Sequence, residues 1–332
     1  MAMTTNAQNT FAQVGIRESL ADIVYRIDPT ETPFQSNIST SGTVRNRYHE
    51  WQQQTLASPS LSNIQLEGDE PTAAAAVART RIGNRTQISY KAFAVTTTAD
   101  AVSVAGVASD ELDEQRILKG LELRRDMEVM LLNNKAQAAG GPLTVAAMAG
   151  LASFITNTDL SGVNRYTAAT GDGTDAYNFT NTTSQALTLT ILNSALKSAY
   201  VDGGTPNFVM LSPDKKIDFS GLALASSISG AAQVRQTISS SEAAALIGSV
   251  ESWMSDFGSL GVTVNIQMAS DTSFLDNTAY LIDGRYAEVA FLEPMQSRPL
   301  ATNGLADREM VFANYTLAVG APKAHAAVFV LS

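Results

Sequence analysis

The 332-residue sequence contains no cysteine and only two histidines. The absence of cysteine excludes disulfide bonds, thiolate nucleophiles and cysteine-ligated zinc. His49 and His325 show no HExxH or comparable spacing, so a histidine-based metal site is not indicated and both residues are expected to be structural. Charged residues make up only 16% of the chain, a low share for a soluble protein. We therefore expect part of the surface to be covered by something else.

Long apolar runs and familiar catalytic motifs are also missing. The longest small-residue stretches, at 73–78 and 145–150, are far too short to cross a bilayer, and no signal sequence is visible. No dinucleotide fingerprint, P-loop or nucleophile elbow occurs. The net charge of -10 argues against a dedicated nucleic-acid binder, although it is compatible with a face that tolerates packed DNA. The sequence therefore predicts no enzyme, no cofactor, no metal and no membrane contact.

The N-terminal region, residues 1–45, is predicted to be an arm. Its central stretch, "DIVYRIDPTETPFQSNIS" at 22–39, follows a short predicted helix at 16–25. Pro29 and Pro33 oppose helix and favour an extended path. In such an arm Ile27 and Phe34 would be anchors for the surface of another subunit, because an extended segment cannot bury them by itself.

Residues 46–98 are predicted to form a long protruding β-hairpin. Its limbs are "VRNRYHEWQQQTL", which includes Trp51, and "RIGNRTQISYKAFAVTTT". Between them lie roughly twenty residues without a regular pattern, a length that is uncommon inside compact domains and usually functional.

Five arginines would form a positive strip on this hairpin: Arg45, Arg47, Arg79, Arg81 and Arg85. One interpretation is that these charges protect a strand edge. The other is that the strip docks on an acidic surface of a second copy. Two acidic surfaces are available, the start of its long helix and its "EGDEP" segment, which contains Glu67, Asp69 and Glu70. Both interpretations stay open.

Two acidic stretches could in principle supply oxygen ligands to calcium, "EGDEP" at 67–71 and "GDGTD" at 171–175. Neither has the full ligand register of an EF-hand loop, and solvated turns explain both stretches.

The clearest helix is predicted over residues 109–139, with acidic residues in its first turn and a Gly-Gly-Pro stop after it. Its length would be roughly 45 Å, typical of a structural spine. A second helix is expected over 186–200, followed by a strand, a Ser212 cap and a helix that begins at Pro213. Alternating strands dominate the remainder, which predicts an α+β chain.

The chain resembles the major capsid proteins of tailed phages, which have the Hong Kong 97-type fold, and is most similar to the SU-ten-like branch. The resemblance rests on the order of "DIVYRIDPTETPFQSNI", "YHEWQQQTL", "LEGDEP", "VESWMSDFGSLGVTVN" and "AYLIDGRYAEVAFL". It implies five regions: an arm at 1–45, an extended loop at 46–98, a peripheral domain at 99–184, an axial domain at 185–285, and C-terminal strands at 286–332 that return to the peripheral domain.

The resemblance further implies a head protein that assembles through hexamers and pentamers into an icosahedral-type shell around double-stranded DNA, without sequence-specific binding. Its partners would be copies of itself, a portal and in some cases cement proteins, and its location the virion, after assembly in the host cytoplasm. The inter-subunit contact candidates are Ile27, Pro29, Pro33, Phe34, Arg45, Arg47, Trp51, Glu67, Asp69, Glu70, Arg79, Arg81 and Arg85.

Some members of the family weld subunits through a lysine of the extended loop, but this sequence has no lysine before Lys91. We therefore expect a shell without that crosslink, and no cleaved scaffold segment ahead of the arm. Two alternatives are an encapsulin-like nanocompartment shell and, more remotely, a hydrolase that uses carboxylates such as Glu67 and Asp69.

Overall fold

The protein is described by a computed structural model that covers residues 28–42, 44–70, 73, 75–102, 104, 110–160, 166–180, 183–224, 250–270, 274–302 and 304–331. Its helices are α1 (Pro33–Asn37), α2 (Thr97–Asp100), α3 (Glu111–Leu132), α4 (Leu189–Val201) and α5 (Pro213–Leu224). Its strands are β1 (Ser39–Ser41), β2 (Tyr48–Gln53), β3 (Thr80–Arg85), β4 (Gln87–Thr96), β5 (Asn157–Thr158), β6 (Tyr166–Thr167), β7 (Asn178–Phe179), β8 (Phe208–Leu211), β9 (Ser252–Ser255), β10 (Gly258–Val264), β11 (Ala279–Ile282), β12 (Ala287–Pro299), β13 (Ala306–Val319) and β14 (Ala326–Val328). The predicted α+β class is confirmed.

A four-stranded sheet in the order β1-β12-β13-β4 lies beside the spine helix α3. The long strands β12 and β13 pair antiparallel, and β4 pairs antiparallel with the outer side of β13. Polar links tie the helix to the sheet: Arg116 makes two hydrogen bonds, of 2.8 and 2.9 Å, to the carboxylate of Glu309. Lys91 of β4 pairs with Asp126 of α3 at 2.6 Å. The helix therefore has a defined register on the sheet.

The second large sheet has six strands in the order β5-β14-β11-β8-β10-β9. All four residues of β8 are buried. Phe208 and Met210 belong to the larger core, whereas Val209 and Leu211 belong to a second core with α4 and α5. Because side chains alternate along a strand, this division shows that both faces of β8 are covered. Strand β14 joins this sheet, whereas β12 and β13, the other C-terminal strands, belong to the four-stranded sheet.

The start of α5 follows its sequence pattern closely. The helix begins at Pro213, where a missing N–H costs nothing, and Ser212 lies directly before it. The backbone N–H of Lys215 donates to the Ser212 hydroxyl at 3.4 Å, which is the arrangement expected of a capping serine. The predicted cap is confirmed.

The spine helix is shorter than predicted. It contains 22 residues and is thus about 33 Å long, and it ends at Leu132, not at residue 139. Asn133 leaves the helix with extended backbone angles, and the chain at Gly150 packs directly against it. A Cβ atom on Gly150 would lie only 1.9 Å from the carbonyl oxygen of Asn133. This close backbone contact lies at the end of the helix and could not be predicted from a helical pattern.

The arm is not extended throughout, which corrects the prediction for Pro33. This proline occupies the first position of the short helix α1, where its ring is tolerated. Phe34 is completely buried within its own subunit, in the larger core. The expectation that its side chain awaits a neighbour is therefore wrong, because the core of the same chain already covers the ring. The predicted helix at 16–25 and the anchor Ile27 lie outside the described residues.

The hairpin exists but is divided differently from the prediction. Strands β2 and β3 pair antiparallel from Tyr48 opposite Arg85 to Gln53 opposite Thr80. At Thr86 the chain changes partner, and β4 joins β13 instead of extending the hairpin. The Thr86 N–H donates to the carbonyl of Arg47 at 2.8 Å and closes the base of the hairpin.

Among the described residues, none of the helices has both the length and the apolar character that a membrane span needs.

Candidate assembly interface

The hairpin is anchored at its base by Asn84, which is fully buried. Its amide nitrogen donates to the carbonyls of Ala149 and Leu317 at 3.1 and 2.8 Å, and its amide oxygen accepts from the N–H of Ala149 at 2.8 Å. One side chain thus joins the hairpin to a neighbouring loop and to β13. An asparagine beside a glycine inside a strand is unusual, and this was the available sequence signal for the anchor.

Close packing across the hairpin requires glycine at position 83. A Cβ atom there would lie 2.7 Å from the ring of Tyr48 and 2.8 Å from the carbonyl oxygen of His49. The guanidinium of Arg85 lies over the same Tyr48 ring, 4.9 Å from its centre. The base of the hairpin is therefore a stiff, well-packed ribbon.

Trp51 was predicted to contact a neighbouring subunit, and the structure places it on the core of its own subunit. Its ring packs against the buried Phe154, with 6.1 Å between the ring centres, and against His49 at 5.8 Å. The ring is only partly buried, so its remaining surface stays accessible. Trp51 therefore helps to fix the orientation of the hairpin relative to the core.

The predicted positive strip is partly used within the hairpin itself. Arg81 pairs with Glu50 on the opposite strand at 2.9 Å, and Arg79 bonds to the side chains of Gln52 and Gln54. Arg85 covers Tyr48, as described above. Arg45 and Arg47 lie at the base of the hairpin and are exposed, as are Arg79 and Arg81. Four members of the strip therefore keep surface that a partner could contact.

The connection between β2 and β3 exposes an unusual number of large apolar side chains. Leu61 is fully exposed, and Leu56, Ile64 and Leu66 are each at least 80% exposed. Burial of such a side chain contributes about 1.5–3 kcal/mol, so an isolated subunit forgoes this stabilisation at four positions. Clusters of exposed apolar residues mark surfaces that bind other proteins. We call residues 54–70 the hairpin tip.

The acidic end of the hairpin tip is a turn. The N–H of Asp69 donates to the carbonyl of Leu66 at 3.1 Å, and Gly68 adopts the positive φ of 86° that such a turn requires. Glu67, Asp69 and Glu70 are exposed around it. Within the described ranges, no group of three acidic or histidine side chains could hold a metal ion.

The second acidic stretch is a self-contained loop. Asp172 accepts hydrogen bonds from the hydroxyl of Thr170 at 2.6 Å and from the backbone N–H of Thr174 at 2.9 Å. Burial opposes ionisation, but these bonds together hold the pKa of Asp172 below its usual range. The hydrogen bonds that the Asp172 carboxylate accepts thus stabilise the loop.

The arm is held on its own subunit by Glu128 of α3, a residue whose role was not predicted from the sequence. The carboxylate accepts from the backbone N–H groups of Phe34 and Gln35 at 2.6 and 3.1 Å, and from the amide of Asn265 at 2.8 Å. Burial raises the pKa of Glu128, because the hydrogen bonds only partly offset the loss of hydration. In the sequence, the only sign of this role is that an acidic residue stands within the apolar run "MEVMLL".

Pro29 is held in the same way, through its backbone. The side-chain amide of Gln267 donates to the carbonyl oxygens of Pro29 and Glu31 at 3.2 and 3.3 Å. From residue 29 onward the arm therefore lies on its own subunit, and Pro29 and Pro33 keep only partly exposed surfaces for other contacts.

The fold combines two large β-sheets, a spine helix and a projecting hairpin with an apolar tip. This combination defines a phage capsid fold of the Hong Kong 97 type. Solved structures with this fold span nearly the whole chain. A chain from Gordonia phage Cozz is similar with a TM-score of 0.62 and 11% identity over 99% of this chain and 97% of that one. A chain of the mature capsid of bacteriophage PhiM1 has a TM-score of 0.53 and 11% identity over 98% and 96%. The encapsulin of the holo-SrpI complex from Synechococcus elongatus has a TM-score of 0.55 and 10% identity over 98% and 96%.

The chain belongs to the SU10 major capsid protein family, whose model matches residues 3–332. A curated major capsid protein of Escherichia phage Phieco32 is 30% identical over 128 residues, which are 39% of this chain and 36% of that protein. The match thus spans about a third of the length of that relative. The resemblance to this branch and the predicted fold are both confirmed.

Proposed function

We propose that the chain is the repeating subunit of a phage head, assembled through hexamers and pentamers into a closed shell around double-stranded DNA. It would be made in the host cytoplasm and become part of the virion, where a portal and in some cases cement proteins contact it. Its net charge of -10 fits a wall that encloses DNA without gripping it. The proposal assigns no catalytic step to the chain.

The exposed hairpin tip carries this proposal. Its four large apolar side chains lie at the end of a ribbon whose base is rigidly anchored. Such an element gains stability only when another surface covers it, and identical subunits provide that surface repeatedly in a symmetric assembly. A major capsid family membership and capsid structural neighbours support the same function.

The test is expression of the full chain, followed by negative-stain imaging and sedimentation. We expect closed particles from the native sequence. A matched control replaces residues 57–70 by a short Gly-Ser linker, which leaves β2 and β3 intact, and should give folded subunits that do not close into shells. A native chain that stays dispersed at high concentration would contradict the proposal.

An encapsulin-like compartment is the second candidate, because the encapsulin chain matches this fold about as well as the capsid chains do. The two functions differ in cargo. Particles purified from phage-infected cells should contain double-stranded DNA if the chain is a head protein, whereas an encapsulin shell should contain protein cargo. Nuclease-resistant DNA inside the particles separates the two. The hydrolase alternative gains no structural support, since Glu67 and Asp69 lie exposed on a turn.

A further inference from the structure

A cavity of about 590 Å³ lies where the hairpin leaves the four-stranded sheet, and it is built from fixed parts of the subunit. Arg47 lines it from the hairpin base, where its carbonyl accepts from the N–H of Thr86 at 2.8 Å. Lys135 lines it from the loop after α3, where its carbonyl accepts from the N–H of Gly150 at 3.0 Å. A volume of this size is typical of pockets that hold a drug-sized ligand, which corresponds to a few residues of a peptide.

The positive charge of this cavity is not balanced by the subunit itself. Neither the Arg47 guanidinium nor the Lys135 ammonium forms an ion pair or a hydrogen bond within the part of the chain that the structure describes. Two unpaired cations thus converge on one concave site, although the net charge of the chain is -10. A concave site lined by charges of one sign concentrates the opposite charge, so the cavity favours an anion.

A neutral acceptor and an apolar wall complete the site. Asn314 of β13 is only 7% exposed, and its side-chain oxygen has no hydrogen-bond partner among the described residues. A buried acceptor without a donor is costly, so we expect the occupant to carry an N–H or O–H group. Ile88, Val145 and Leu292 supply apolar surface, and the first two side chains are mostly exposed. The cavity therefore suits an occupant that combines an anionic group, a hydrogen-bond donor and an apolar body.

We propose that this cavity binds the carboxyl-terminal residue of a partner protein, and that this residue has an apolar side chain. The terminal carboxylate pairs with Arg47 and Lys135, which is a charge-assisted contact. The backbone N–H of the same terminal residue donates to the side-chain oxygen of Asn314. Its apolar side chain covers Ile88 and Val145. One residue at the end of a peptide thus supplies all three groups that the cavity requires.

Other occupants satisfy fewer of these groups. A fatty acid has no N–H for Asn314, and a DNA duplex presents phosphates on a broad surface that has no apolar body for Val145. Leu331 of this chain is buried, and its N–H donates to the carbonyl of Asn277, so that segment is not free to enter the cavity. The inference goes beyond the shell function and does not depend on it, because a single subunit forms the whole cavity.

The first test titrates the unassembled full-length chain with an acetylated tripeptide that ends in leucine and a free carboxylate. Isothermal titration calorimetry should show saturable binding of one peptide per chain, and the same peptide with a terminal carboxamide should bind at least about tenfold more weakly. Arg47→Gln with Lys135→Gln should lower the affinity for the free acid by a similar factor. Arg45→Gln is the matched control, since Arg45 is exposed close by but does not line the cavity. No saturable binding, or equal affinity for acid and carboxamide, would overturn the inference.

The second test asks whether Asn314 accepts the last backbone N–H. A peptide in which an ester oxygen replaces that N–H should bind the native chain several-fold more weakly than the amide peptide does. Asn314→Leu should bind both peptides equally, and this comparison within one variant does not depend on its stability. An ester penalty that persists in Asn314→Leu would refute the contact.

The third test compares the other occupants. Octanoate and a short DNA duplex should each fail to displace the tripeptide from the native chain at concentrations where the unlabelled tripeptide displaces a labelled one. Displacement by octanoate would assign the cavity to a lipid-like acid, and displacement by the duplex would assign it to phosphate. Either result would refute a peptide terminus as the occupant and leave the shell function intact.

Discussion

The backbone N–H of Phe34 donates to the carboxylate of Glu128 at 2.6 Å, although the two residues are 94 positions apart in the chain. The same carboxylate accepts from Asn265, so it joins the arm, the spine helix and the segment after β10. This carboxylate is buried and bound entirely by uncharged donors in the contacts described above. The arm is therefore a fixed part of the subunit at this point.

Replacement of Glu128 should release this part of the arm. Glu128→Ala leaves the N–H groups of Phe34 and Gln35 and the Asn265 amide without their acceptor, and a buried unsatisfied donor costs about 1–3 kcal/mol. We expect a loss of about 3 kcal/mol in the free energy of unfolding, measured by denaturant on unassembled subunits. Glu128→Gln keeps one acceptor oxygen and should lose clearly less. Equal losses in both variants would contradict the role of the carboxylate as a shared acceptor.

Phe34→Ala should destabilise the subunit itself. The side chain is fully buried, and truncation of a buried phenylalanine typically costs about 3–5 kcal/mol. The informative comparison is Ile64→Ser in the hairpin tip, where the native side chain is exposed and the unfolding free energy should stay within about 0.5 kcal/mol. Ile64→Ser should lower particle yield without this loss. Reduced stability of Ile64→Ser, or an unchanged subunit stability of Phe34→Ala, would contradict the two assignments.

Acid should weaken the fold through His325. The imidazole is fully buried and accepts from the N–H of Asp283 at 3.2 Å. Burial lowers the pKa of His325 to about 4, although the nearby Asp283 carboxylate opposes the shift. The unfolded chain thus binds this proton more readily, so the stability contributed by the neutral ring is present above pH 6.5 and is lost as the pH falls towards 4. The full effect corresponds to about 3 kcal/mol.

The measurement is the unfolding free energy against pH for the native chain and for His325→Asn, whose amide oxygen can accept the Asp283 N–H. In His325→Asn, the decrease in unfolding free energy that His325 causes between pH 6.5 and pH 4 in the native chain should be absent. Glu128 acts in the opposite direction, because its raised pKa favours proton uptake by the folded state. The difference between the two curves, not either curve alone, therefore reports His325. Parallel curves would contradict the prediction.

Gly83→Ala should disrupt the hairpin base. The new Cβ atom would clash with the carbonyl oxygen of His49, which is backbone and cannot move away cheaply. We expect a loss of roughly 1–3 kcal/mol, as for other overpacked sites. Gly42→Ala is the control, since no atom lies within 4 Å of its added Cβ and its φ is not in the left-handed region. Thermal unfolding compares the two variants, and equal midpoints would speak against close packing at position 83.

Assembled particles should dissociate completely in denaturing electrophoresis. The hairpin has no lysine, because the first lysine of the chain is Lys91 in β4. A lysine-derived isopeptide bond from the hairpin is thus chemically impossible. Boiled particles should run as a single subunit band near 35.2 kDa. A ladder of covalent multimers from the native chain would overturn the expectation.

The residues whose roles depend on local pattern were predictable. The Ser212 cap, the Pro213 start of α5 and the paired strands of the hairpin follow from local backbone preferences. The alternation predicted for β13 is wrong, because its last nine residues are all buried and both faces of that part of the strand are therefore covered. The absence of cysteine and of catalytic motifs could also be seen directly in the sequence, and it argued against thiol chemistry and against the common enzyme classes. Family resemblance, carried by the order of several segments, added the fold.

Contacts between distant parts of the chain could not be predicted in this way. Asn133 ends the spine helix where Gly150 packs against it, Glu128 binds Phe34, and Asn84 bonds to Leu317. Phe34 looked like an anchor for a neighbour because its surroundings in sequence are polar and rich in proline. Its surroundings in space are a core assembled from other elements. Local sequence determines backbone preference and apolar periodicity, whereas burial is decided by whichever segments the tertiary fold brings to the same place.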